Sequence, residues 1–145
     1  IYPLLDSKYF KNLTMEMVDL LEKPDFWVGV ESRGFIFASA LDIKFGGGVV
    51  LCRKAGKLPG KVITKSYKTE FSKDQSSIKK RSGSVVIVDN VIAIGGTLAT
   101  VNKLCISAGY NVLDNLVVID LRYVPRNQHF LTLGLNNIKS LIIYD

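Results

Sequence analysis

Asp89 and Asn90, then Val91-Ile92-Ala93-Ile94, then Gly95-Gly96-Thr97 bring a carboxylate, an amide, a glycine pair and a hydroxyl close together in the chain. Behind them lies Val85-Val86-Ile87-Val88, the unbroken apolar run of a strand buried on both faces. A buried strand that ends in an acid, with a glycine turn opening a helix, suits a phosphorylated ligand. The glycines let the backbone approach an anion, the first amides of the helix point at it, and the Thr97 hydroxyl adds a donor. Asp89, expected just beyond the strand, can accept hydrogen bonds from sugar hydroxyls. The stretch is not a Walker loop, because it has neither the lysine nor the longer glycine spacing. Taken alone, the glycine pair also fits a plain strand-turn-helix corner with a capping threonine.

A second phosphate-friendly segment, Arg53-Lys54-Ala55-Gly56-Lys57-Leu58-Pro59-Gly60, follows another apolar run. Together the two segments suggest one ligand charged at both ends. Residues 53–81 hold ten Lys/Arg against Glu70 and Asp74, a local +8, whereas the whole chain is at +6 and the remainder therefore at −2. A basic block beside glycine turns suits a polyanionic small molecule as well as a nucleic acid. Tyr67 and Phe71 are its only aromatic residues, which gives little for base stacking. Lys79-Lys80-Arg81 reads as a solvated turn before the next strand.

These residues must be held by alternating strands and helices. Met15, Val18 and Leu21 have helical spacing over 15–21, with Asn12 or Thr14 as the cap. A buried strand is predicted at 26–30, a helix at 35–44 ended by Gly46-Gly47-Gly48, and a strand at 49–53. Residues 54–84 are polar, contain both Gly and Pro, and exceed the usual connection length, as an active-site flap or a linker would; a hairpin is plausible over 62–71. A strand at 85–88 leads to a helix at 97–108, apolar on one face through Leu98, Val101, Leu104 and Cys105 and stopped by Gly109. Strands at 116–121 and 141–144 complete the pattern, that of an α/β domain with a mainly parallel, twisted sheet flanked by helices.

With 145 residues, 48% apolar and 22% charged, the chain is sized for one globular domain with its own core, not a disordered tail. No apolar run approaches the roughly 18 residues of a membrane span, and no signal-peptide pattern opens the chain. Cys52 and Cys105 sit in apolar patterns and read as buried, reduced thiols of a cytoplasmic protein, without the Cys/His spacing of a zinc site. His129 reads as a surface or packing residue, Trp27 as packing at a strand edge, and Phe35 and Phe37 as core.

The glycine-turn segment resembles the phosphoribosyl pyrophosphate (PRPP) signature of type I phosphoribosyltransferases. Glu31-Ser32-Arg33-Gly34-Phe35, the Arg53 to Gly60 segment and Ser66-Tyr67-Lys68-Thr69-Glu70-Phe71, in that order and spacing, are similar to the adenine phosphoribosyltransferases, and the likeness runs from Ile1 to Leu121. The glycine signature is shared by many relatives, whereas Arg-Lys-x-Gly-Lys-Leu-Pro-Gly is much more specific. The resemblance implies a single phosphoribosyltransferase domain over 1–145 with a flexible flap at 54–84. It implies transfer of ribose 5-phosphate from PRPP to adenine, giving AMP and pyrophosphate in purine salvage. Ala93, Ile94, Gly95, Gly96 and Thr97 would cradle the 5-phosphate, and Asp89 and Asn90 would hold the ribose hydroxyls. Glu31, Ser32 and Arg33 would form a pyrophosphate loop with a non-proline cis peptide between Glu31 and Ser32. Arg53, Lys54 and Lys57 would meet the leaving pyrophosphate, whose charge Mg2+ shares, with no metal held directly by protein side chains. Glu70 on the flap would manage the proton on the purine ring. Val91 and Leu121 match the positions that sandwich the base, although core packing explains both equally well. A homodimer is implied by the family alone; no membrane partner is expected.

Three departures accompany the match. The family has two adjacent acids where this chain has Asp89-Asn90, and the amide lacks the charge that would support a metal or a cationic transition state. It has threonine where this chain has Ile94; one hydroxyl fewer on a charged phosphate removes about 1.5–3 kcal/mol. The family's hood over adenine uses a segment N-terminal to Ile1; either such a segment precedes these residues or the base is handled differently, and base specificity is left unread. Two rival readings remain at this point: a degenerate module that binds AMP or PRPP without useful turnover, and a nucleic-acid-binding regulator on the same fold, supported only by the basic block.

Overall fold

The computed structural model describes residues 6–54, 62–68, 73–79, 82–126, 128, 135 and 137–145. The helices are α1 (Ser7–Asp19), α2 (Arg33–Phe45) and α3 (Gly96–Ala108). The strands are β1 (Phe26–Val30), β2 (Val49–Lys54), β3 (Val62–Lys68), β4 (Lys73–Lys79), β5 (Gly83–Ile92), β6 (Tyr110–Leu121) and β7 (Ile138–Tyr144). They form one sheet in the order β3-β4-β2-β1-β5-β6-β7. The five strands from β2 to β7 in that order run parallel. β3 and β4 are an antiparallel hairpin joined to the end of β2, where Arg53 and Lys54 lie opposite Ser77 and Ser76.

From β1 the chain passes through α2 to β2 on one side, whereas β5 lies on the other side of β1 and leads through α3 to β6. The strand order therefore reverses between β1 and β5. Right-handed crossovers running in opposite directions put α2 and α3 on opposite faces of the sheet. Side-chain alternation along β5 agrees: Val86 and Val88 pack with Trp27, Phe37, Ala38 and Leu41, while Val85 and Ile87 pack with Leu98, Val101 and Leu104. Both faces are thus covered, which is why these strands read as continuous apolar runs. Ile78 of β4 joins the α3 core, and the hairpin lies against that helix.

Several sequence expectations shift. α1 begins at Ser7, and its cap is Asp6, whose Oδ1 accepts from Tyr9 N at 3.0 Å, not Asn12 or Thr14. Thr14 lies inside the helix and its hydroxyl donates to Phe10 O at 2.9 Å. Trp27 is 1% exposed and belongs to the core rather than a strand edge, with its indole N–H donating to Gly46 O at 3.0 Å. The hairpin extends to Lys79, so Lys79 ends a strand and is no turn residue. β5 continues through Asp89, Asn90 and Val91 to Ile92, because β6 keeps pairing with it in parallel register. Asp89 is consequently inside the strand, not beyond it. Gly109 closes α3 at φ 103°, a conformation glycine adopts without strain. Cys52 and Cys105 are both buried, and neither is in a disulfide. Lys57, Glu70, Phe71, Lys80, Arg81 and His129 lie outside the described residues. Among the described residues no helix is long and apolar enough to cross a membrane.

Candidate active site

In an open α/β sheet, the crevice outside the carboxyl ends of the strands at the point of reversal is where ligands bind. Here that point lies between β1 and β5, and both strands lead there into a helix. Neither helix has a side-chain cap: Ser32 before α2 and Gly95 before α3 make no side-chain cap hydrogen bond. Ala99 N bonds back to Gly95 O at 2.9 Å, so the preceding amides of α3 have no intrahelical acceptor and remain available to an anion. Gly95 holds φ 101°, a left-handed conformation that favours glycine and turns the chain from β5 into α3. Gly95 and Gly96 are buried, Ala93 and Thr97 half-buried, and Ile94 is 37% exposed.

The β1 side closes against this turn. The peptide between Glu31 and Ser32 is cis, as the resemblance implies. Glu31 accepts from Arg53, with Nε 3.3 Å from Oε1, which ties the end of β2 to the loop after β1. Glu31 is half-buried, and Ser32 and Arg33 are exposed. A Cβ on Gly34 would lie 2.4 Å from Val88 O and 3.4 Å from Asp89 Cα, so only glycine lets the loop seat against β5. Glu31, Ser32, Arg33, Arg53 and Asp89 are thereby brought to one end of the sheet. Lys54 ends β2, and Lys57 and Glu70 fall outside the described residues.

Asp89 carries the site's most perturbed ionisation. Burial pushes its carboxyl up from 3.8 to about 7, opposed by the Asn90 amide, which donates to Oδ1 at 2.8 Å, and by the positive charge of Arg33. The group is thus poised near neutrality, to be drawn into its charged form by a ligand that donates hydrogen bonds. Asn90 donates through its backbone, leaving its side-chain amide a separate polar group beside Asp89. Val91 and Leu121 are both half-buried; Val91 pairs with Ile119, and Leu121 lies two residues further along β6. Among the described residues no cluster of His, Cys, Asp or Glu could hold a metal ion.

Sequence reasoning missed one ionic cluster at this end of the sheet. Asp120, 2% exposed, is bound by Arg122 and Arg126. Its signal was present: an acid inside the apolar run Val117-Val118-Ile119, followed by two arginines, is a buried charge that needs partners.

The site described so far is a cleft at the strand-order reversal of an open α/β sheet, with two uncapped helix starts and a buried carboxylate. Residues 8–122 match the phosphoribosyl transferase domain family. The adenine phosphoribosyltransferase of Hydrogenovibrio crunogenus is 42% identical over 106 residues, covering 72% of this chain and 62% of its own length. That of Prochlorococcus marinus strain NATL1A is 37% identical over 122 residues, 80% of this chain and 71% of its own. The crystal structure of adenine phosphoribosyltransferase from Thermoanaerobacter pseudethanolicus superposes with a TM-score of 0.86 at 32% identity, over 97% of this chain and 84% of that one. The chain belongs to the phosphoribosyl transferase domain family, on its adenine phosphoribosyltransferase branch.

Proposed function

We propose that this chain transfers the 5-phosphoribosyl group of PRPP to adenine, releasing pyrophosphate and forming AMP. The observation that carries the reading is the pair of uncapped helix starts at the ends of neighbouring β1 and β5, with Asp89 inside the last stretch of β5, ahead of the glycine turn. PRPP has a monophosphate, a ribose and a pyrophosphate in sequence, and this cleft offers an anion site, a carboxylate and a second anion site in matching order. The amides of α3 and the Thr97 hydroxyl hold the 5-phosphate, with Ala93, Ile94, Gly95 and Gly96 shaping the cradle. Asp89 and Asn90 take the ribose hydroxyls. The Glu31-Ser32-Arg33 loop, with Arg53, Lys54 and Lys57, receives the pyrophosphate. Adenine as the base is supported by the named relatives.

The transferring carbon develops oxocarbenium-like charge as pyrophosphate leaves, so the residues work by positioning and by stabilising charge. Cations on the pyrophosphate ease its departure, and Glu31 steers Arg53 toward that end of the cleft. Magnesium bound together with PRPP would supply positive charge that offsets part of the leaving group's charge, beside the cations of Arg53, Lys54 and Lys57. Val91 and Leu121 wall the base on its two faces, and Glu70 takes the proton that adenine loses when the new bond to carbon forms. A second copy of the chain is the proposed partner; Tyr9, Met15, Ile36 and Ile43 give α1 and α2 an exposed apolar surface for it. Two buried cysteines outside any disulfide fit a reducing compartment such as the cytoplasm.

The test is AMP formation by wild-type protein and by Glu70→Ala. The expected outcome is a loss of kcat of about 10²–10⁴-fold in the variant with AMP binding retained. Turnover unaffected by the substitution would remove Glu70 from the chemistry, and AMP binding without turnover in the wild type would favour a binding module.

A further inference from the structure

Asp120 lies at the carboxyl end of β6, between Ile92 of β5 and Ile143 of β7. Two and four residues before it, on the same face by alternation, Val118 and Leu116 are buried with Trp27, Phe37 and Leu41. A carboxylate that ends such an apolar layer must be paired. It is, one cation to each oxygen: Arg126 Nη2 donates to Oδ1, and Arg122 Nε donates to Oδ2 at 3.3 Å. The two cations differ in setting. Arg126's side chain is 19% exposed and Arg122's 52%, so Arg126 is the sheltered partner. Arg126 Nε is buried without a hydrogen-bond partner among the described residues, while its Nη2 meets Asp120 Oδ1.

Backbone bonds fix the turn that both arginines leave from. Arg122 N donates to Tyr144 O at 2.8 Å, Tyr123 N to the same oxygen at 3.3 Å, and Val124 N to Leu121 O at 3.2 Å. Leu121 therefore stands between a pinned carboxylate and a pinned turn, and its neighbour strand carries Val91 in register with Ile119. We infer that Asp120 and Arg126 are positioning residues for the base slot: the ion pair sets how far Leu121 stands from Val91, and so how well a purine ring is gripped. The inference rests on the proposed phosphoribosyl transfer and deepens it, since neither residue touches the phosphates or the ribose in that reading.

The two ends of the nucleotide separate this role from a general contribution to folding. Calorimetric titration of wild-type protein, Arg126→Met and Asp120→Asn with AMP and with ribose 5-phosphate compares a ligand that has the base with one that lacks it. Arg126→Met should raise the Kd for AMP about tenfold, the scale of an imperfectly filled apolar contact, while leaving that for ribose 5-phosphate within about twofold. Arg126→Lys, which keeps the charge, should recover most of the AMP affinity. Asp120→Asn should show the same split more strongly; if it does not fold, Arg126→Met still decides, because Arg122 remains on the carboxylate. Equal weakening of both ligands, or no weakening of either, would overturn the inference while leaving the proposed activity standing. Wild-type protein that binds neither ligand would overturn the activity and the inference together.

Discussion

A methyl group added at residue 34 tests whether the two halves of the cleft are held in contact by the absence of a side chain. The Cβ of Gly34→Ala would stand 2.4 Å from Val88 O, a backbone atom inside β5 that cannot swing away. Carbon-to-oxygen contacts settle at roughly 3.3 Å, so the loop after β1 must retreat by roughly 0.9 Å. Val30 Cβ and Asp89 Cα, each at 3.4 Å, restrict sideways escape. Overpacking of this kind costs about 1–3 kcal/mol, partly offset by about 1 kcal/mol from alanine's better helix propensity, since Gly34 lies in the first turn of α2. A net loss of about 0–2 kcal/mol lowers Tm by no more than about 8 °C in a domain of this size. The functional effect is larger, because a displacement of about 1 Å between the pyrophosphate loop and Asp89 can cost about 10²-fold in rate. Steady-state kinetics with PRPP varied, beside scanning calorimetry, measure both. A variant with unchanged kcat/KM would refute the reasoning, even if its Tm fell.

Asp89 should make stability fall with rising pH. Its carboxyl titrates near 3.8 when unfolded and about 7 when folded, so the folded state holds the extra proton between those values. That contribution is complete below about pH 4 and is lost as the pH rises to about 7, by at most about 4 kcal/mol. Urea unfolding across this window should show the slope in wild type and a flatter profile in Asp89→Asn. Asn115→Leu should destabilise by about 1–3 kcal/mol, because Asn115 and Asn102 exchange buried amide bonds at 2.7 and 3.4 Å and Asn115 also donates to Asn137 O. Lying six residues before Leu121 on β6, the change should leave kcat/KM intact. Ile94→Thr should lower the Kd for ribose 5-phosphate about tenfold, the lower end of a hydroxyl-to-anion bond because position 94 is 37% exposed, and calorimetry would read it.

What the sequence made legible was what apolar periodicity and glycine control locally. The apolar runs of β1, β2 and β5, the helix ended by Gly109 and the glycine turn at Gly95-Gly96 are short-range signals, and each lies where expected. Extents that depend on a neighbour were not legible. β5 runs on through Asp89 because β6 pairs with it, and polar residues at a strand's end carry no mark of that partner. Trp27 read as an edge residue because its burial depends on α1 and α2 closing over it, with Gly46 O offered to its indole. The meeting of Glu31 with Arg53 joins residues 22 positions apart, and only the parallel pairing of β1 with β2 brings them together. The contact of Gly34 with Val88 follows in the same way from the pairing of β1 with β5.

The most direct measurement is a steady-state assay of the purified protein with magnesium and PRPP, offering adenine, hypoxanthine, guanine and xanthine separately. Rapid formation of AMP, with the other three bases turned over far more slowly, is the expected result. Equal or better turnover of another base, or no nucleotide from any of the four, would contradict the proposed activity.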